Sequence, residues 1–275
     1  MASLVPRLQS PLRVFTCVIR HWDVVVLLTK REVVGRYRGS LLGLLWAISY
    51  PLMMLAVYAF VFSVVFQARW STGGESNTEF VLLLFTGLIV YSLFAECINR
   101  APNLILSRVN YVKKVVFPLE VLSWVSLGVA LFQMSMSLSV LLLFCGLSRS
   151  SLHWSVILFP LIITPLALVV LGVSWFLASV GVFVRDVGHA SGAVTSLMLF
   201  LTPVFYPVSA LPETYRPLLY LNPLTFIVEQ ARDVLIAGKS PSWYGLGVYF
   251  LCSVVVAWLG LTWFECTRKG FADVL

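Results

Sequence analysis

The chain has 275 residues, 60% hydrophobic and 11% charged, with a net charge of +7. A soluble domain carries about 25% charged residues, so the composition excludes an ordinary soluble fold and places the chain in the membrane class. Five cysteines (Cys17, Cys97, Cys145, Cys252, Cys266) show neither CxxC nor any other ligand spacing, and they read as scattered small apolar residues.

No apolar core with a small-residue cleavage site closely follows Met1, so a cleavable signal peptide is not expected. Residues 1–40 form an N-terminal cytoplasmic segment. Within it, Phe15, Val18, Ile19, Trp22 and Val26 recur at helical spacing, while Arg13, Thr16, Arg20 and Asp23 occupy much of the other side. Residues 12–29 are therefore predicted as an amphipathic helix in the headgroup plane, with Trp22 as an interfacial ring. A basic collar follows: Lys30, Arg31, Glu32, Arg36 and Arg38. Directly behind it, residues 41–66 carry no charge.

A bilayer core about 30 Å thick needs roughly 20 apolar residues of helix. Six stretches are predicted as spans within residues 41–275: 41–66, 80–98, 119–147, 155–184, 191–205 and 243–264. The fifth is short; it can extend back toward His189 or end early at Pro203. The first and fourth exceed the minimum and imply tilt or kinks, at Pro51 and at Pro160/Pro165. Lys and Arg set the orientation. Fourteen lie in the N-terminal segment, the loop after span two, the fourth connection and the C-terminal tail; five lie in the alternate segments. Both termini are expected on the cytoplasmic side, and the collar is at least a topological anchor. The fold class is an all-α integral membrane protein.

Six prolines punctuate residues 203–242. Asn222 is a good N-cap, with Pro223 at the first helical position. Leu224, Ile227, Ala231, Val234 and Leu235 then form an apolar stripe, with Glu229, Arg232 and Asp233 on another face. Two short helices entering the outer leaflet suit residues 207–240, either as an external gate beside a pore or as a surface amphipathic hairpin. On the outer half of span one, Tyr58, Phe62 and Phe66 recur every four residues. Phe200, Phe205 and Tyr206 cluster at the outer end of span five. Sugar C–H faces pack on aromatic rings, so these residues are candidates to line a sugar path; aromatic belts and helix packing are the alternative.

No ionisable residue lies near the middle of any predicted span, which argues against a proton- or sodium-coupled carrier. HExxH, GxSxG and paired carboxylates are absent, and His21, His153 and His189 are far apart, so an intramembrane enzyme or a metal site is not expected. "AGKS" at 237–240 imitates the end of a phosphate-binding loop, but Asp233 stands where that loop needs glycine. Gly238 reads instead as a helix C-terminal cap.

"REVVGRYRGSLLGLLWAISYPLMMLAVYAFVFSVVFQARW" resembles the first-span region of permease subunits of ATP-binding-cassette polysaccharide exporters, which move O-antigen, capsule or teichoic acid. "FAECINRAPNLILSRVNYVKKVVFPLEVLSWV", "GVFVRDVGHA" and "YLNPLTFIVEQARDVLIAG" agree, in order, from about Trp22 to Cys266, and the O-antigen branch is the nearest. The resemblance implies a six-span homodimer in the cytoplasmic (inner) membrane, working with two copies of a cytoplasmic ATP-binding subunit. ATP and Mg would sit on that partner; this chain would bind no cofactor and no nucleic acid. Its interface helix and the loop 99–118 would meet the ATPase, which gives Glu32, Arg36, Arg38, Pro102, Asn103, Asn110 and Tyr111 as coupling residues. Within that loop, Pro102-Asn-Leu-Ile-Leu reads as a short helix and Asn110-Tyr-Val-Lys-Lys as its exit. Spans one and five would line a channel between protomers. Residues 207–240 match the family's outer re-entrant helices, with Asn222, Pro223, Glu229 and Arg232 at the gate. Arg36 and Arg38 are also candidates for the lipid head group of a lipid-linked polysaccharide, or for bulk anionic lipid. The rival readings are an exporter of drugs or small lipids from the same superfamily, a glycan-modifying enzyme resting on Glu96, Glu120 or Asp186, and a structural membrane scaffold.

Overall fold

The computed structural model describes residues 13–62, 77–113, 117–149 and 153–275. Among these residues every regular element is helical. In chain order the helices are α1 (Arg13–Arg20), α2 (Trp22–Tyr37), α3 (Trp46–Phe60), α4 (Asn77–Arg100), α5 (Val109–Lys113), α6 (Val121–Arg149), α7 (Phe159–Phe183), α8 (Val187–Leu201), α9 (Arg216–Tyr220), α10 (Pro223–Leu235), α11 (Trp243–Thr267) and α12 (Phe271–Val274).

Among the described residues, five segments are long and apolar enough to cross a membrane: Gly43–Phe60, Thr78–Asn103, Val121–Leu147, Trp154–Phe183 and Trp243–Val274. The stretch expected at 191–205 is α8. It starts earlier, at Val187, and stops earlier, at Leu201, for 15 residues in all. At 1.5 Å per residue it reaches about 22 Å, less than an apolar layer of about 30 Å. Thr202 and Pro203 turn the chain there, and the Thr202 backbone is extended. Of the stretch expected at 41–66, helix covers Trp46–Phe60 with a preceding turn at Gly43–Leu45, and residues 63–66 lie outside the described residues.

The N-terminal helix expected at 12–29 is two helices, broken at His21, and the second continues through the collar to Tyr37. Gly39, at a φ of 86°, then reverses the chain in a conformation that β-carbon residues avoid. Val25 and Val33 are buried, and Val25 packs with Val121 and Val125 of α6. Ile19, Trp22 and Val26 of the predicted apolar stripe are exposed.

The core lies where α4, α6, α7, α10 and α11 meet. The α7–α11 pair is the tightest seam. A β-carbon on Gly172 would overlap the Val256 carbonyl, and one on Gly260 would overlap the Gly172 backbone. Small residues let the two backbones approach, which is how helices gain packing energy where no hydrophobic effect drives them together. Trp175, wholly buried on α7, donates its indole N–H to the Glu120 carbonyl (3.0 Å) and sets the start of α6. Replacing Gly260 by valine is expected to destabilise the chain by roughly 1–3 kcal/mol, read as a lower melting temperature in detergent; an unchanged melt would show that the seam is looser than described.

Candidate functional site: two ends of one helix pair

α3 begins beside the collar, and α4 runs the other way and ends beside it. The 16 residue steps from Phe80 to Glu96 on α4 span about 24 Å. Functional side chains gather at both ends.

At the collar end, Glu32 of α2 is the shared anion. One of its oxygens pairs with Arg100, and the other accepts from Arg108 Nη2 at 2.8 Å. Arg36, one turn further along α2, pairs with Glu96, which also lies 3.7 Å from Arg100. Two carboxylates and three guanidiniums thus join α2, the end of α4 and the loop that follows. Burial is the strongest single influence on the Arg36 guanidinium and acts to lower it, but the hydrogen bond and charge of Glu96, with those of Tyr37, together outweigh it, so the group ends above its ordinary value. Burial lowers Arg108. Tyr37 extends the contact by donating to Gln133 Oε1 of α6 at 2.8 Å. Arg38, the other predicted cation, is exposed.

The predicted coupling segment 99–118 is a chain of short turns at Ala101–Asn103 and Leu106–Arg108 running into α5. The part expected as an exit is itself helical. Ala101, Pro102, Leu104 and Ile105 are buried, whereas Asn103, Ser107 and Asn110 are exposed. Pro102 presses its backbone onto Gly181 of α7, where a β-carbon would overlap the Pro102 carbonyl. Tyr111 stacks on Phe117 at 4.7 Å. Arg268, from the chain's end, donates to the Phe117 carbonyl (2.9 Å) and pairs with Glu120 (3.0 Å). The segment is held from below and presents amides and a hydroxyl outward.

At the opposite end the predicted aromatic residues come together. Tyr58 and Phe62 lie 6.5 Å apart, Phe62 stacks on Phe205 at 6.1 Å, and Phe205 meets Phe200 at 6.0 Å. Tyr206 donates to the Phe200 carbonyl at 2.9 Å. Phe80 of α4 completes the group at 5.6 Å from Phe62. Phe66 lies outside the described residues. Beside this group, Tyr50, Tyr58, Tyr91, Ser92, Gln133 and Ser137 help to line an uncharged cavity of about 260 Å³.

The segment after α8 is packed against the bundle. Asn222 accepts from the Leu224 N–H at 2.9 Å and donates to Thr202 Oγ1 at 2.8 Å. The Pro223 carbonyl accepts from Tyr249 at 2.8 Å. The apolar stripe of α10 is buried, and so is Arg232, at 6% exposure, although the helical pattern places it on the polar face. Its guanidinium donates to the carbonyls of Leu83 (3.0 Å) and Val204 (2.9 Å), because the polar face of α10 is itself packed against the bundle. Burial lowers Arg232 from its ordinary value, against the pull of Glu229. Burial likewise raises the Glu229 carboxyl. Gly238 stops the helix at a φ of 68°, with no room for a β-carbon against His153.

The comparisons with known proteins bear on this arrangement. Residues 23–236 match the family model described as ABC-2 type transporter. The chain belongs to that family. The matched range takes in both ends of the α3–α4 pair, the coupling segment and α10. A protein named O-antigen export system permease protein RfbA, from Myxococcus xanthus, is 28% identical over 92% of this chain and 96% of its own length. Another of that name, from Klebsiella pneumoniae, is 27% identical over 92% and 95%. The polysialic acid transport protein KpsM of Escherichia coli is 22% identical over 87% and 92%. As an ABC-2 type membrane subunit the chain is a transporter component and not an enzyme.

Sequence reasoning marked Glu32 and Arg36 but not their partners. Glu96 entered only as an acid of the enzyme reading, and Arg100 and Arg108 only among the orientation-setting cations after span two; the one local signal was the four-residue spacing of Glu96 and Arg100 on one helix face. Tyr37, Gln133 and Gly181 gave no signal at all. Glu32→Gln takes the carboxylate from Arg108 and leaves Arg100 only the more distant Glu96, and is expected to cost about 1–2 kcal/mol. Its melt should recover in part when Arg108→Gln is added; equal melts for the single and double variants would argue that Glu32 does not bridge them.

Proposed function

We propose that this chain is the channel-forming subunit of an ATP-driven exporter that moves lipid-linked polysaccharide, of the O-antigen kind, across the cytoplasmic membrane. It acts as a homodimer with two copies of a cytoplasmic ATP-binding subunit, which carries the ATP and Mg. In this reading α3, α4, α6, α7, α8 and α11 are the six spans and both termini are cytoplasmic. α1–α2 is the interface helix, and the segment 207–240 is re-entrant. The observation that carries the reading is the division of one helix pair into an ion-paired end and an end where aromatic rings gather. An exporter driven from outside its own chain needs both: a place to be pushed and a surface on which a polymer slides.

Closure of the ATPase pair would press on the exposed Asn103, Ser107 and Asn110. The ion-paired cluster passes the displacement to α2 and to the base of α4 as one body. α3 follows through the short link at Gly39–Gly43. Its outward face, with Ile48, Leu52, Met53, Val57 and Phe60, is exposed, as are Leu197 and Phe200 of α8. That bare face supports a protomer seam lined by spans one and five. Along it, Tyr58, Phe62, Phe200, Phe205 and Tyr206 offer ring faces to sugar C–H groups without an ionic trap. Uniform weak contact suits a polymer that must keep moving, because any tight site becomes a stop. Arg38 remains exposed for a phosphate head group, whereas Arg36 is already paired with Glu96.

The test is reconstitution of the chain with its ATPase in vesicles, with ATP-dependent movement of a lipid-linked glycan as the readout. Phe205→Ala is expected to slow movement about tenfold or more and to leave ATP hydrolysis within about twofold; a tenfold rate change corresponds to about 1.4 kcal/mol, the scale of one lost ring contact. Asn103→Asp with Asn110→Asp should instead reduce glycan-stimulated hydrolysis. Glycan movement without any ATPase subunit, or equal loss of hydrolysis and movement in Phe205→Ala, would overturn the reading.

A further inference from the structure

Between α2 and α6 runs a groove of about 510 Å³ that neither the ion-paired cluster nor the aromatic group uses. The size lies within the range of small-molecule sites. Its walls are apolar side chains, among them Trp22, Val26 and Val34 of α2, and Leu131 and Phe132 of α6. It has three polar exceptions. Lys30 lines it and is exposed toward solvent. Thr29 and Trp124 also line it, and Thr29 Oγ1 and Trp124 Nε1 are buried with no hydrogen-bond partner in the protein. The crossing is close because Gly128 faces Thr29: a β-carbon there would meet the threonine hydroxyl at 2.8 Å.

We propose that this groove binds one anionic phospholipid, with an acyl chain along the apolar walls and the phosphate at Lys30. The occupant follows from the combination. A long apolar trough calls for a hydrocarbon chain. A lone lining cation at one rim, with Arg31 and the rest of the collar beyond it, calls for an anionic head. The site rests on α2 lying at the membrane surface, as the proposed function has it. It adds a consequence: α2 also carries Glu32 and Arg36, so the lipid in the groove sets the position from which the coupling cluster works.

The experiment is lipid quenching of tryptophan fluorescence in the purified full chain, without ATP, so that a failure is separate from any failure of transport. The probes are phosphatidylglycerol and phosphatidylcholine with the same brominated acyl chains. The signal is the part of the quench lost in Trp124→Phe. Phosphatidylglycerol is expected to bind about fivefold more tightly, the effect of one lysine near an anionic surface. Lys30→Gln should abolish that preference while both lipids still quench, and Arg31→Gln should keep it. Equal affinity for the two lipids in the unaltered chain would overturn the proposal. So would equal loss of preference in Arg31→Gln, which would assign it to the collar's general charge. Displacement of the quencher by polyprenyl phosphate but not by unlabelled phosphatidylglycerol would overturn it too, and would give the groove to an isoprenoid chain.

Discussion

A single carboxylate, Glu32, decides where the N-terminal helix stands. α2 buries little apolar surface of its own: Val25 and Val33 are its fully covered side chains. Hydrophobic burial therefore cannot fix its rotation. The shared pairing with Arg100 and Arg108, and the second pair between Arg36 and Glu96, do so instead. Partly exposed ion pairs contribute about 0–1 kcal/mol each, too little to hold a fold. They are strongly directional, and several sharing members resist sliding in a way that one does not. The cluster's main contribution is position, and it makes α2, the base of α4 and the coupling segment one mechanical unit.

The far end obeys a different constraint. Around α8, α9 and α10 the chain leaves regular helix, so buried backbone groups there need partners that a helix would otherwise supply. Side chains take that role. Arg232 holds two carbonyls from two other segments, Asn222 holds one N–H and one hydroxyl, and Ser155 donates to the Val234 carbonyl at 2.6 Å. A buried guanidinium is costly in isolation, and its two carbonyl acceptors make it tolerable. The gate residues named from sequence are thus fasteners first. Any movement of α10 away from α4 would have to release Arg232 from the Leu83 carbonyl.

How much of this was legible before the fold was known follows from the range of each signal. Spans are legible because the bilayer sets their length, and α4, α6, α7 and α11 lie where hydropathy puts them. The Tyr58–Phe62 pair was legible from its four-residue spacing. Phe205 joins it only because the chain turns at Thr202, which no periodicity announces. The ion-paired cluster was half legible: the collar's charges are plain, but Glu32 finds Arg100 and Arg108 some 70 residues away, and only packing makes them neighbours. Arg232 misled for a related reason. Helical phase assigns a side chain to a face but does not say whether that face is covered, and α10 is packed on its polar side too. The break at His21 and the early end of α8 moved two boundaries by a turn or more.

Seen from α3, the two ends impose opposite demands on one helix. At its start it is tied through a short glycine link to a rigid charged cluster; at its finish Phe62 stacks on Phe205, and the helix widens into a π-type turn at Val61–Phe62. Such turns recur at functional sites, because the extra residue leaves the backbone free to rewind by one position. Between the ends, α3 is covered mainly on one side, by Ala47, Pro51 and Leu55. Leu55 seats α3 in the core while the outer face of the helix is bare, so a small turn of its upper end would carry Tyr58 and Phe62 together, since they share a face, and would separate Phe62 from Phe205. The stacked contact between α3 and the turn after α8 therefore ties the position of one segment to that of the other.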